Sequence, residues 1–452
     1  MPTDGGDEMS EIEDQIQLGL RLLAEEVLLP TKTRSTPRLR RLAVAVVALA
    51  ALIVAVVLGL VDRSATHAAP RFVRDTFNYR PGGVATGEGF PLLPYYVNGP
   101  SEIAAASAND VWFVGSRRSW HWDGTSWRVV AMPAMRGDVY LNSAAAAADG
   151  EVWAVGSRNG PSTLRAGYAF VEHWDGARWR VLRLPRTGLS TTLFSVSASA
   201  PDDVWAVGET YGRDARGRFP DRLRRPLVLH WNGSSWNAVA VPWTLRPGDG
   251  ARIVATGPND VWVAAIVAEQ IEHWDGQSWK EAPAPFGPRD PLWGFSATSA
   301  DDAWAVGSYL HGRHSRTLAA HWDGQSWQIA PTPNRGTDSD LVDVVSLGPD
   351  NAWAIGRTGF DYGGLLFEHW DGESWKLAPG ATSNLWDGLP LLAATEDGAA
   401  WVLGNCFYDN VVLRWNGSAW TIVRHPPDQH WDRRVPLRDR RVGFGRCRVV
   451  RS

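Results

Sequence analysis

Seven times in this chain a tryptophan is followed five residues later by a second one, across a turn written Trp-Asp-Gly or Trp-Asn-Gly: Trp122 and Trp127, Trp174 and Trp179, Trp231 and Trp236, Trp274 and Trp279, Trp322 and Trp327, Trp370 and Trp375, Trp415 and Trp420. Ahead of each pair stands one more tryptophan in an Ala-Trp or Val-Trp segment, at Trp112, Trp153, Trp205, Trp262, Trp304, Trp353 and Trp401. Each copy holds an apolar stretch, an Asp/Asn turn, the Val-Trp segment, a variable stretch, a second apolar stretch and a turn into a last short one. Short apolar runs separated by turn residues read as four strands. Units of roughly 40 to 50 residues with four strands each predict an all-β fold, a seven-bladed β-propeller with four antiparallel strands per blade. An open solenoid would need shorter repeats and atypical ends. The repeat takes 21 of the 26 tryptophans, so the aromatic content serves the architecture and does not by itself mark a ligand site.

Comparing the seven copies separates scaffold from site, because a residue needed in every blade serves the blade. Asp123, Asp175, Asp275, Asp323 and Asp371 become Asn232 and Asn416 in the other two turns. Both side chains accept hydrogen bonds from a turn backbone and only one is charged, so acceptance is the shared requirement. Gly follows each time, as a turn with positive φ demands. The flanking tryptophans are placed to pair across the hairpin or to seal adjacent blades.

Six of the eleven histidines fill one repeated position, His121, His173, His230, His273, His321 and His369, with Arg414 at the seventh. A zinc or copper site needs ligands converging on a point, whereas equivalent positions are spread around a ring. The pairs Asp202/Asp203 and Asp301/Asp302 read as turn caps, and the serines of GTSW, GSSW and GQSW lack a nucleophile elbow. His311 and His314 have two-ligand spacing at best. No catalytic residue, metal or cofactor is therefore expected.

The flanks carry the topology. Residues 42–61 are twenty without a charge, which at about 1.5 Å each spans roughly 30 Å of hydrocarbon. Lys32, Arg34, Arg38, Arg40 and Arg41 precede them, while Asp62 and Arg63 offset each other after them. That asymmetry predicts a single-pass helix with the N-terminus cytoplasmic and the remainder extracytoplasmic, at the cell membrane. A cleaved signal is the alternative, but the preceding segment and the apolar run are both long for one. Within the cytoplasmic segment 1–41, Ser10 and Glu13 form a capping box before Ile12, Ile16, Leu20, Leu23 and Val27. This predicts an amphipathic helix at about 11–29, a surface for lipid, self-association or a cytoplasmic regulator. A linker is expected at 62–100, the propeller at 101–426 and an Arg-rich tail at 427–452. Cys406 and Cys447 lie where a disulfide would persist, and either a bond between them or two free thiols fits the sequence. The net charge of -4 shows no basic patch outside one loop and the tail, so nucleic acid is not an expected partner.

The segments DDVWAVG and HWDGQSW resemble the tryptophan-rich propeller repeats of secreted and membrane-anchored actinobacterial proteins, and more distantly the kelch and galactose-oxidase superfamily. The resemblance covers all seven units. The chain lacks the Gly-Gly pair of kelch and the Gly-His of WD40 repeats, so no ligand site is carried over. Three lysines against 42 arginines fit the codon bias of a GC-rich bacterial genome.

In an up-and-down blade with strands a, b, c and d, the a–b and c–d turns share one face and the b–c and d–a connections the other. The first set is nearly constant here and the second differs in every unit, so binding is expected on the variable face. The candidates there are Trp243, Trp293 and Trp386 in d–a connections, Tyr211, Arg213, Arg218 and Arg225 in the long Arg-rich b–c loop, and Tyr309, His311 and Tyr362 in two others. Aromatic and Arg side chains suit binding hot spots; loop tryptophans also plug gaps between blades. The expected function is a non-catalytic module that binds a cell-surface glycan or protein. A hydrolase or lyase on surface polysaccharide is the alternative, and it requires unrepeated titratable side chains gathered around the axis. A passive spacer would have no distinctive variable face.

Overall fold

The computed structural model describes residues 100–423, apart from 148, 160–166, 187–189, 213–223, 245–249, 267–269, 284–285, 288–289, 360–363, 380–389, 396 and 407–408. The amphipathic segment, the 42–61 run, the linker up to residue 99 and the C-terminal tail lie outside them. The described chain forms seven four-stranded antiparallel sheets, each made of four strands consecutive in sequence and paired in that order. In blade 1 these are strand a (Pro100–Ser107), b (Asp110–Gly115), c (Arg118–Trp122) and d (Trp127–Ala131). The other innermost strands are Val139–Ala146, Ser190–Ala200, Ala251–Gly257, Leu292–Ser299, Ser339–Ser346 and Leu391–Ala394. Among the described residues no blade borrows a strand from another, so the seven sheets meet mainly through side chains, with a backbone bond from the Trp420 N–H to the Pro379 carbonyl between blades 7 and 6.

The repeat residues make those contacts. In blade 1, Trp112 is directly opposite His121 on the neighbouring strand and stacks on it, with ring centroids 4.2 Å apart. His121 Nε2 lies 2.7 Å from Asp110 Oδ1, which also accepts the Trp112 indole N–H at 2.9 Å. The indole held this way enters blade 2, 4.9 Å from Trp174 and 5.8 Å from Trp179. The same ring contact between blades continues around the ring, while the indole N–H bond to a carboxylate recurs at Trp205: Trp153 meets Trp231 and Trp236, Trp304 meets Trp370 and Trp375, Trp353 meets Trp415 and Trp420, and Trp401 returns to Trp122 and Trp127. The turn pairs also contact each other across their own hairpins, as at Trp122 and Trp127, 5.4 Å apart. A repeated histidine thus orients a repeated tryptophan, which seals the next blade.

Three blades extend the relay by a hydroxyl: Ser199, Thr256 and Thr298 donate to Asp203, Asp260 and Asp302. Burial alone would raise Asp260, but hydrogen bonds from His273 and Thr256 outweigh it and hold the carboxyl below its usual range. In blade 7 the carboxylate position is Ala399, and Arg414 replaces the histidine with its guanidinium 4.9 Å over Trp401. A cation over an indole is held by the ring itself and needs no carboxylate there.

The turns behave as their sequences require. Asp123 Oδ1 accepts the N–H of Thr125 and Ser126 at 2.9 and 2.8 Å, and Asn232 Oδ1 accepts those of Ser234 and Ser235 at 3.1 and 3.0 Å. Gly124 and Gly233 sit at φ of 89° and 83°.

Candidate functional site

Setting the relay aside leaves the innermost strands, where the copies differ most. Register with strand b aligns them: Glu102 pairs with Val114, Ser143 with Val155, Ser195 with Val207, Arg252 with Ala264, Gly294 with Val306, Asp343 with Ile355 and Leu391 with Leu403. These seven residues form one layer around the axis, on the variable-face side of the repeated tryptophans. In blades 1 and 4 the layer lies within three residues of the strand's start, close to that mouth.

Part of the layer closes the ring. Ser143 Oγ accepts the Val196 N–H, and Ser195 Oγ the Ile253 N–H, each at 3.2 Å from the next blade. Asp343 Oδ2 does the same for Leu392 at 3.1 Å, while Oδ1 accepts the Val344 N–H at 3.1 Å. Gly294 is required by close approach: a Cβ there would come within 2.8 Å of the Asp343 backbone.

The charged members converge. Arg252, in blade 4, reaches beyond the side-chain-free Gly294 of blade 5 to put its Nη2 3.4 Å from Asp343 Oδ1 in blade 6. Asp343 is buried and Arg252 is about one-third exposed. Glu102, from blade 1, feels both: burial pushes its carboxyl up to about 8, Arg252 pulls it down and Asp343 pushes it up further. Burial raises Asp343 as well, against Arg252 and the two N–H donors. One guanidinium and two carboxyls raised by burial above their ordinary range therefore come together on the variable-face side of the repeated tryptophans, and none belongs to the repeat. Sequence comparison missed them because the innermost strands vary and most carry a one-residue bulge ahead of this position, which blade 4 lacks. The available signal was a lone charge in each of two otherwise small and apolar stretches, SEIAAAS and ARIVATG.

The loop candidates separate. Trp243 does not face solvent: it is 6% exposed and meets Trp279 edge-on at 4.7 Å, inside the apolar cluster between blades 3 and 4. Trp293 is half-buried, at the bulge beside Gly294. Tyr211 donates to Glu209 at 2.8 Å, and Glu209 forms a buried ion pair with Arg224, which anchors the base of the Arg-rich loop. Arg225 beside it is exposed. Tyr309 and His311 are exposed on a hairpin of blade 5 that the next connection braces, through Asp338 accepting the Ser315 N–H at 3.0 Å. His314 also faces Asp338, at 3.4 Å. Tyr211 and Arg225 thus share the rim of blade 3, and Tyr309 and His311 that of blade 5. Trp386, Arg213, Arg218 and Tyr362 lie outside the described residues, as do Cys447 and the Cys406 side chain.

No protein-family model and no curated protein matches the chain. Among solved structures it is similar to a streptogramin B lyase, at 12% identity and a TM-score of 0.49 over 73% of this chain and 95% of that one. It is similar to YCF48 from Cyanidioschyzon merolae at 14% identity and a TM-score of 0.46, over 72% and 97%. A fucose-specific lectin from Aleuria aurantia matches at 14% identity and a TM-score of 0.38, over 71% and 93%.

Proposed function

We propose that this chain is a membrane-anchored, extracytoplasmic binding module whose propeller presents its variable face to a cell-surface glycan or protein, with relay to a cytoplasmic regulator through the N-terminal segment. The observation that supports this reading is the division of labour among residues. The repeated Trp, His and Asp side chains are engaged within and between blades, while the unrepeated Arg252, Glu102 and Asp343 come together on the side where exposed Arg225, Tyr309 and His311 also lie. Rigid scaffolds with individual loops bind through those loops. The test is a screen of the full-length chain against surface glycans and envelope proteins, repeated with Arg225, Tyr309 and His311 changed to Ala. A hit that weakens in the triple variant supports the reading; a hit retained in full removes the variable face from it.

A hydrolase or lyase acting at the channel mouth is the second reading, and the Glu102 and Asp343 carboxyls are the observation in its favour, since paired carboxyls serve acid–base chemistry. It predicts new reducing or unsaturated ends when surface polysaccharide is incubated with the chain, and none with Glu102→Gln. Intact polysaccharide after binding leaves the non-catalytic reading standing.

A further inference from the structure

We propose that the layer formed by Arg252, Glu102 and Asp343 is a carboxylate-binding site, in which a ligand carboxylate docks on the Arg252 guanidinium from the variable-face mouth of the channel. This rests on the binding reading above and names the chemistry of its centre.

The argument starts from the donors that Arg252 leaves open. A guanidinium presents five N–H groups in a planar fork suited to two parallel bonds with a carboxylate. Among the described residues, its ion-pair partner is Asp343, and the closest approach, Nη2 to Oδ1, is 3.4 Å, longer than the 2.7–2.9 Å typical of a charge-assisted bond. Asp343 spends its short contacts elsewhere: its two oxygens accept the backbone N–H groups of Val344 and Leu392 at 3.1 Å each, and the guanidinium stays at 3.4 Å, outside a charge-assisted bond. The guanidinium stands beside Asp343 and is about one-third exposed.

Neighbouring residues shape the space beside it. Gly294 takes the layer's position between Arg252 and Asp343, where the Asp343 backbone comes too close for any side chain, so the layer position of blade 5 places no side chain beside the fork. Ser143 and Ser195 are short and turned to the next blade. Glu102 is the remaining long polar side chain of the layer, and a carboxyl that keeps its proton donates a hydrogen bond where an ionised one would repel. Around Glu102 the neighbouring layer residues of blades 2 and 7 are Ser143 and Leu391, so the charges acting on it are Arg252 and Asp343. A ligand carboxylate then accepts two bonds from Arg252 and one from protonated Glu102. An anion favours this site at neutral and mildly acidic pH, and loses affinity as Glu102 ionises above about 8.

A carboxylate of this kind is carried by sugar acids and by peptide ends alike, and small probes distinguish them. The full-length chain is titrated calorimetrically with glucuronate and with N-acetylglycine, each against its neutral counterpart, glucose or N-acetylglycinamide. The expected result is binding of at least one acid and of neither neutral analogue, a loss of tenfold or more in Arg252→Met, and in Glu102→Gln binding that no longer falls between pH 7 and pH 9. Thermal melts establish that each variant is folded. If Arg252→Met does not fold, Arg252→Lys serves instead, because it keeps the charge and loses the two-pronged fork, and the same tenfold loss is expected. Equal binding of acids and neutral analogues, no binding of either acid, or full affinity in a folded Arg252 variant each overturns the proposal. A screen hit that depends on Arg225, Tyr309 and His311 but not on Arg252 overturns this site while leaving the variable-face reading intact.

Discussion

At the residue scale, the least expected side chains are glutamates inside the blade interfaces. Directly before the repeated His-Trp, strand c carries Glu172, Glu272 and Glu368 in blades 2, 4 and 6, where the other blades have Trp120, Leu229, Ala320 and Leu413. Glu172 and Glu368 are fully buried and, among the described residues, neither has a hydrogen-bond partner. Glu272 has one, the Gln270 amide at 2.9 Å. Glu172 is paired with Ala154, which packs against Trp112 of blade 1, so the carboxyl shares an apolar interface. Burial pushes Glu172 and Glu368 up to about 8 from an ordinary value of 4.5. The folded state therefore keeps two protons that the unfolded chain releases, and stability falls as pH rises from about 4.5 to about 8, by at most about 1.4 kcal/mol per pH unit for each group. Below that window the groups have no effect; above it the loss is complete. Glu172→Gln removes the titration while keeping the shape. It should melt with the wild type at pH 4.5 and above it at pH 9, as followed by circular dichroism. Identical melting at both values would show that Glu172 is solvated in the native state.

At the element scale, the two repeated turns of a blade touch each other, and this decides what each glycine does. Gly276 has φ of 88° and a Cβ on it would lie 2.6 Å from Asn259 Oδ1, on the a–b turn of the same blade; Gly417 has φ of 92° and, among the described residues, nothing within 4 Å of a Cβ. Gly417→Ala carries only the left-handed backbone penalty, about 1–2 kcal/mol, whereas Gly276→Ala must also displace Asn259. Urea midpoints should rank the wild type first, Gly417→Ala second and Gly276→Ala last; the reverse order of the two variants would mean that the turn contact contributes nothing. These turns were legible from sequence because hydrogen bonding and φ act within four residues and recur seven times. Blade count, strand order and the uniform face followed from them. The partner of each histidine was not legible: Asp110 is eleven residues from His121, and only the strand register brings them together. Trp243 shows the same limit, since a tryptophan in a connection reads alike whether it faces a ligand or plugs the gap beside Trp279. The Glu102, Arg252 and Asp343 layer was hidden further still, because its members are far apart in sequence and align only after the bulges are counted.

At the scale of the whole molecule, closure rests on side-chain contacts and not on a shared sheet. Each blade completes its own sheet, so the join between blades 7 and 1 has no shared strand and is held by the same kind of contact as every other join. Trp401 fits against Trp122, Trp127 and Phe113, and Asp397 Oδ2 accepts the Ala108 N–H at 3.0 Å. This join differs from the other six in one respect: it connects residues near the two ends of the propeller, and breaking it turns a ring into an array with two free ends. In an array of nearest-neighbour units, terminal units open first. Trp401→Leu should therefore speed amide hydrogen exchange in blades 7 and 1 well before blades 3 and 4. Trp262→Leu, which weakens the join between blades 4 and 5, should move the fast-exchanging pair there. Both variants remove the same indole from equivalent joins, so global stability alone would not tell the two apart, whereas the location of the exchange does. Uniform acceleration through all seven blades in Trp401→Leu would mean that the ring opens as one cooperative unit and that no join acts as a boundary.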